Sequence, residues 1–198
     1  MNQELILPRN YFIPIMAQAY YDLLKVLVPS MDKNKDIEKG IDEGLGKFLS
    51  NLYISLAYDA LVKHDLVQFF TTESGMWKGK RLTNFYSQKA CDILIQRKKD
   101  KKVKTERLEF EHMIPKNIYQ DEIVDAFRIK GEKSVSEIAK MLDNDWYLAT
   151  ITQSEKKVLL TKDTMPEGSN PHDIFARYPK LKKQLISQED FLNRLRNS

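Results

Sequence analysis

Three histidines are the side chains in this 198-residue chain best suited to proton transfer near neutral pH, and their surroundings differ. His64 follows a helical pattern, where we expect a surface or helix-capping role. His172 follows Asn170-Pro171 in a loop and could ligate a metal or lead into the next helix. His112 follows Glu111 at the end of an alternating segment. The acid directly before it makes His112 the most interesting of the three, whereas residue types alone favour an edge-strand histidine with solvated carboxylates.

Glu111 and His112 can serve one site only if the chain bends where they lie. Neighbouring residues on a strand point to opposite faces of the sheet. Pro115 follows three residues later and provides a reason for such a bend. Residues 107–115 therefore predict a short strand that ends in a bend.

Hydrophobic spacing predicts that the first hundred residues are all-helical. The predicted helices cover Tyr11–Val28, with a stop at Pro29, then Ile37–Ala60 and Leu82–Gln96.

Further along the chain, the pattern predicts strand, helical insertion, strand and helix. The predicted elements are a helix over Asp121–Ile129, a helix capped by Ser134 and running to Leu142, a polar turn at 143–145, a strand over Trp146–Thr152, a helix over Gln153–Leu159 with Thr152 and Glu155 in a capping box, a short helix near Asp173–Tyr178 and a last helix from Gln188. The predicted fold is α+β and mainly α. It comprises a helical region (1–75), a basic helix or connector (76–105) and a region with the candidate chemistry (106–198), and we expect these parts to form one compact unit.

The formal net charge of +4 is unevenly distributed along the chain. Residues 78–107, the basic tract, hold eleven basic and three acidic side chains, which leaves the rest of the chain mildly acidic. Such a tract attracts polyanions by releasing their counterions. A solvated lysine-rich helix end explains it equally well.

The cysteine content and the apolar runs indicate the cellular compartment that we expect for this protein. Cys91 is the only cysteine, so no internal disulfide can form, and we expect a reducing, cytoplasmic setting. The apolar run Tyr11–Val28 is interrupted by Pro14, Gln18 and Asp22, and no basic leader precedes a long apolar stretch. We therefore expect neither a signal peptide nor a transmembrane helix.

The run EHMIPK at 111–116 resembles the first motif of HNH (ββα-metal) nucleases, an acid and a histidine followed by two apolar residues and proline. The run TITQSEKK at 150–157 is similar to the second strand and metal-binding helix of that family. The segments MPEG at 165–168 and FARY at 175–178 resemble parts of small bacterial HNH-type proteins with an EHxxP motif. The resemblance covers about residues 108–178 and implies a small ββα-metal site with a helical insertion.

This resemblance implies a metal-dependent endonuclease that hydrolyses DNA phosphodiester bonds, in restriction or another defence setting. His112 would be the general base, and Glu111 with Glu155 or His172 would hold one divalent cation, Mg²⁺ or Mn²⁺. Asn144 would orient the histidine. The lysines implied to contact nucleic acid are Lys98, Lys99, Lys101, Lys102, Lys104, Lys116, Lys156 and Lys157. RNA is the other candidate substrate, and a homodimer would account for double-strand cuts.

The sequence departs from the family where its last metal ligand, Asn or His, is expected. The aligned positions hold Glu155, Lys156 and Lys157. Glu155 could replace the ligand, or a lysine could hold a phosphate and leave the metal site degenerate. The alternatives are therefore a noncatalytic nucleic-acid-binding protein, or an interaction protein with an acidic partner.

Overall fold

Two long helices form the N-terminal part of the fold: α1 (Arg9–Met31) and α2 (Lys35–Lys63). The computed structural model describes residues 7–31, 35–64, 66–70, 82–100, 103, 105–129, 133–161 and 163–198. Each helix buries one apolar stripe in a common core. Leu24 and Tyr53 are fully buried there.

The rest of the described chain alternates short strands with helices. In chain order these elements are a 3₁₀ helix (Val67–Phe70), β1 (Phe85–Ser87), α3 (Gln88–Lys99), β2 (Leu108–His112), α4 (Lys116–Ile129), α5 (Val135–Asp145), β3 (Leu148–Thr152), α6 (Gln153–Lys156), a second 3₁₀ helix (Lys182–Gln184), β4 (Leu185–Ser187) and α7 (Gln188–Arg196). The protein is thus mainly helical with a small mixed sheet, which confirms the predicted α+β class.

The four strands form one sheet in the order β2-β3-β1-β4. β1 and β3 are parallel, whereas the β2–β3 and β1–β4 pairs are antiparallel. β1 comes from the predicted connector (76–105), so strands from two of the predicted regions share this sheet. The order β2, helical insertion, β3 and α6 agrees with the order predicted from the sequence.

The two faces of the sheet pack against different partners. On the helix-covered face, Tyr86, Leu148 and Ile186 belong to the large core that also contains α1 and α2. On the loop-covered face, Ala149 and Ile151 pack in a smaller cluster with residues from the segment 159–181. Alternation along a strand therefore sends neighbouring side chains into different environments.

Three strands end in a hydroxyl residue that caps the next helix. Ser87, Thr152 and Ser187 accept hydrogen bonds from the backbone N–H groups of α3, α6 and α7 respectively. A Ser or Thr cap satisfies one of the N–H groups left unpaired at the start of a helix. The predicted capping boxes at Ser134 and Thr152 are both confirmed.

Several predicted boundaries were wrong because tertiary packing prevails over local pattern. α1 continues past Pro29 because Met31 is buried in the core. Residues 85–87 are a strand instead of helix because Phe85 and Tyr86 pack on opposite faces of the sheet. α6 stops at Lys156, three residues before the predicted end, and Leu159 packs in the smaller cluster instead.

Two more predictions were wrong around the segment 159–181. Residues 143–145 complete α5 instead of forming a turn. Residues 173–178 form successive turns instead of a helix, with hydrogen bonds from Ala176 N to Asp173 O (3.0 Å) and from Tyr178 N to Phe175 O (2.8 Å). None of the described helices combines the length and apolarity needed to cross a membrane.

Arg9 fastens the start of α1 to the end of α5. Its guanidinium donates to the carbonyls of Trp146 (2.9 Å), Leu142 (3.0 Å) and Asp143 (2.6 Å), and to the Asp143 carboxylate (3.0 Å). It also lies 3.8 Å from the centre of the Tyr147 ring. These bonds satisfy carbonyls that the end of α5 would otherwise expose.

Arg9→Met should lower the free energy of unfolding by about 2 kcal/mol, since this cap and the contact with the Tyr147 ring are lost. Urea denaturation measures the effect, with Arg196→Met, an exposed arginine in the last turn of α7, as the matched control. Arg9→Lys should also be destabilised, because an ammonium cannot reproduce the planar fork. Equal stability of wild type and Arg9→Met would contradict this role.

Candidate functional site

His112 ends β2 on the helix-covered face of the sheet, opposite Leu148. Its Nε2 lies 3.3 Å from Ser50 Oγ on α2, and its Nδ1 lies 3.4 Å from the Tyr119 hydroxyl on α4. The half-buried ring makes an edge contact with Trp146 at 6.1 Å between ring centres. Side chains from α2, from α4 and from the residue directly after α5 thus hold the imidazole.

His112 is neutral at physiological pH. Burial, with smaller contributions from the positive charges of Lys116 and Arg177, lowers the pKa of its imidazole to about 4. A neutral imidazole can accept a proton at one ring nitrogen and donate from the other.

Glu111 lies on the loop-covered face, opposite Ala149, and therefore points away from His112. Its Oε1 forms an ion pair with the ammonium of Lys156, and its Oε2 lies 3.9 Å from Arg177 Nη2. The hydrogen bond to Glu111 raises the pKa of the Lys156 ammonium, which therefore stays charged. The structure does not bring Glu111 and His112 to one site.

Arg177 connects the loop segment to β2. Only 2% of the residue is exposed, and its Nη1 donates to the backbone carbonyl of His112 at 2.7 Å. Its Nε and Nη2 donate to Thr161 O at 3.2 and 3.1 Å. A buried guanidinium needs such partners, because an unpaired buried charge is strongly unfavourable.

The other two predicted metal ligands make separate contacts. Glu155 is buried, and its Oε2 accepts hydrogen bonds from Ser87 Oγ (2.6 Å) and from the backbone N of Thr152 (2.8 Å). His172 Nδ1 lies 2.8 Å from the buried carboxylate of Asp145. Each side chain thus already has a partner within the protein.

These donors do not fit a divalent cation. Within the part of the chain that the structure describes, no three His, Cys, Asp or Glu side chains are grouped as ligands for a metal. Glu111 is compensated by two cations, whereas a hard divalent ion needs several uncompensated oxygens. The divalent cation implied by the family resemblance stays a prediction that this arrangement does not support.

The predicted nucleic-acid-binding lysines have different environments. Lys98 donates to Leu195 O at 2.6 Å and so connects α3 to α7. Lys99 and Lys157 are exposed, and Lys116 lies over Gly46 of α2. Lys101, Lys102 and Lys104 lie outside the described residues.

The predicted orienting residue does not contact His112. Asn144 is exposed near the end of α5. Asn84, directly before β1, is instead the asparagine that supports β3, since its Oδ1 accepts a hydrogen bond from Leu148 N at 2.9 Å. The ring of His112 is held by Ser50 and Tyr119, which the sequence reasoning did not select.

The FARY segment was the available signal for Arg177, since an arginine between aromatic residues in a loop suggests a buried contact. Ser50 offers no such signal, because a serine in a long amphipathic helix has no distinguishing pattern. Its proximity to His112 depends entirely on how α2 packs against β2 and α4.

A second polar cluster lies near the C-terminal end of β3. Glu106 accepts hydrogen bonds from Lys89 Nζ (2.6 Å) and from the backbone N and Oγ of Ser154. These bonds lower the pKa of the Glu106 carboxyl to about 2, with the bond from Lys89 contributing most. Arg107, one residue on, pairs with Glu109 at 2.9 Å. Glu106 and Glu109 therefore pair with two basic side chains of the tract, Lys89 and Arg107.

The comparisons with known proteins provide no relative. No protein-family model, curated protein or solved structure matches this chain.

Glu106→Gln should lower stability at neutral pH, because the carboxylate holds Lys89 and the start of α6. A carboxyl whose pKa is lowered by folding contributes stability above its unfolded value, about 4.5, which is lost as the pH falls through about 2. The stability difference between wild type and variant should therefore shrink over that range. Chemical denaturation at several pH values, with the exposed Glu43→Gln as control, measures it; a constant difference would contradict the role.

Proposed function

We propose that this protein binds nucleic acid through its basic tract and does not cleave it. Its strands are arranged as in the nucleases it resembles, but the ammonium of Lys156 lies beside Glu111, the acidic residue of the motif. The ion pair between Glu111 and Lys156 is the observation that carries the noncatalytic part of this proposal. It supports binding without metal-dependent cleavage.

The electrostatics of the Glu111 centre argue against a bound divalent cation. Lys156 and Arg177 already supply two positive charges to Glu111, and Lys156 Nζ also lies 3.8 Å from Glu109. A divalent cation would have to displace the ammonium or lie beside it, and like charges at such distances repel strongly in a partly buried site. His112 on the opposite face cannot reach a phosphorus bound at Glu111.

The charge of the basic tract supports the binding part of the proposal. Its eleven basic side chains lie within thirty residues, and α3 leads directly into the lysine-rich run that starts at Arg97. Arg97 is anchored by its bond to Thr105 Oγ1 at 2.7 Å, whereas Lys99 is exposed. Exposed lysine side chains such as Lys99 bind phosphates without reading bases.

A metal-dependent DNA endonuclease is the second candidate. It is favoured by the antiparallel pairing of β2 with β3, by the helix α6 that follows, and by the neutral imidazole of His112 at the end of β2. This function requires Lys156 to leave Glu111 when metal and DNA bind. The setting in restriction or defence, the preference for DNA over RNA and a homodimer belong to this second proposal.

Binding to a labelled DNA duplex and to an RNA duplex should weaken steeply as salt rises. Replacing Lys99, Lys101, Lys102 and Lys104 with glutamine should flatten that dependence by about three to four units of log–log slope, roughly one per phosphate contact. Replacing Lys35, Lys39, Lys47 and Lys63, which are exposed on α2, makes the same charge change and should leave the slope nearly unchanged. Absent or salt-insensitive binding would overturn the proposal and favour an acidic protein partner.

The same preparations distinguish binding from cleavage. Supercoiled plasmid incubated with the protein and Mg²⁺ or Mn²⁺ should remain uncut while binding is retained. Nicking that His112→Ala abolishes without loss of binding would overturn the noncatalytic proposal and establish the endonuclease. His64→Ala is the matched control for an unrelated histidine.

A further inference from the structure

Three polar side chains from three elements lie near one another on the helix-covered side. They are Ser50 of α2, His112 of β2 and Lys116 of α4, and Tyr119 holds the far nitrogen of the His112 ring. Both Ser50 and His112 are half-buried, so each keeps some contact with solvent. We name this place the α2–α4 crevice.

Gly46 leaves room for Lys116 in this crevice. A Cβ at Gly46 would lie 2.6 Å from Lys116 Nζ and 3.2 Å from Lys116 Cε, so any larger residue would displace the ammonium. Gly44, two residues earlier in α2, has no atom within 4 Å of the same constructed position. Because Gly46 has no side chain, the end of Lys116 can occupy the space beside α2 at this position.

The ammonium of Lys116 lies against the face of α2 that carries Ser50. Gly46 and Ser50 are separated by one helical turn, so they share one face of α2 and lie about 6 Å apart. The charge of Lys116 also reaches His112, whose pKa it lowers. Among the described residues, no carboxylate forms an ion pair with Lys116, so its charge is available to an anion.

The chemistry of these groups selects a tetrahedral oxyanion. An ammonium supplies charge, a serine hydroxyl supplies a directional donor, and an imidazole 3.3 Å from that hydroxyl keeps it in place. Lys116 is also the first residue of α4, a helix of 14 residues, whose N-terminal N–H groups favour negative charge. A carboxylate ligand would use fewer of these donors than a phosphate.

We propose that the α2–α4 crevice binds a phosphate group through Lys116 and Ser50, with His112 positioning the serine hydroxyl. The group belongs to free phosphate or to the phosphorylated end of a nucleic acid. If the group is the phosphorylated end of a nucleic acid, this inference rests on the proposed function. Inorganic phosphate is used as the probe, so that binding at this site is tested separately from nucleic-acid binding by the basic tract.

NMR spectra of the imidazole groups test this site directly. Inorganic phosphate, added at constant ionic strength, should shift the His112 signals in a saturable way and leave those of His64 and His172 unchanged. Lys116→Met should weaken the binding about tenfold, the effect of losing one charge-assisted contact. Lys140→Met, an equal change in charge on α5, is the matched control.

Gly46→Ala provides a variant that keeps every polar group of the crevice. It should weaken phosphate binding because the new methyl displaces Lys116, while an unchanged melting curve shows that the fold is intact. Unsaturable shifts, shifts shared by all three histidines, or unchanged affinity in folded Lys116→Met would overturn the proposal. A preference for a 5′-phosphorylated oligonucleotide over the unphosphorylated one would identify the nucleic acid as the source, and equal affinities would identify free phosphate.

Discussion

The hydrogen bonds of the buried Arg177 guanidinium hold the end of β2 and the loop segment 159–181 together. The guanidinium satisfies the backbone carbonyl of His112 at the end of β2 and the carbonyl of Thr161 in the loop segment. Its charge faces Glu111, whose other oxygen pairs with Lys156. Removing one member of such a set leaves an uncompensated buried charge, which generally destabilises by about 3–5 kcal/mol. The position of the loop, the direction of Glu111 and the end of β2 are therefore coupled.

This coupling gives the Glu111-His112 pair two separate roles. Glu111 belongs to an ion-pair cluster on the loop-covered face, and His112 belongs to a hydrogen-bonded group with Ser50 and Tyr119 on the helix-covered face. A single strand carries both, and its alternation assigns each to its own environment. Our two proposals divide polyanion binding between the basic tract and the α2–α4 crevice.

Most of the fold could be predicted from the sequence because its signals are local. The stripes of α1 and α2, the alternation in β2 and the capping boxes at Ser134 and Thr152 were all confirmed. The three residues of β1 could not be recognised, because so short a strand exists only through its pairing with β3 and β4. The shared pattern of strand, hydroxyl residue and glutamine at Ser87, Thr152 and Ser187 was the overlooked signal.

The candidate site was less predictable, because its contacts are long-range. A bend after His112 was expected to turn it toward Glu111, whereas the strand keeps regular alternation through His112, where the ladder ends opposite Leu148. Glu155 was weighed as a metal ligand, and its capping-box position, visible in the sequence, is the contact that the structure shows. Ser50 and Gly46 could be linked to the site only through the packing of α2 on α4.

The most direct test of the central claim, that Glu111 is an ion-pair partner and not a metal ligand, is a titration with Mn²⁺ followed by paramagnetic broadening of backbone amide signals. We expect the signals of Glu111 and Lys156 to broaden no more than those of exposed acids such as Glu43 and Glu167. Saturable broadening centred on Glu111, and lost in Glu111→Gln, would contradict it.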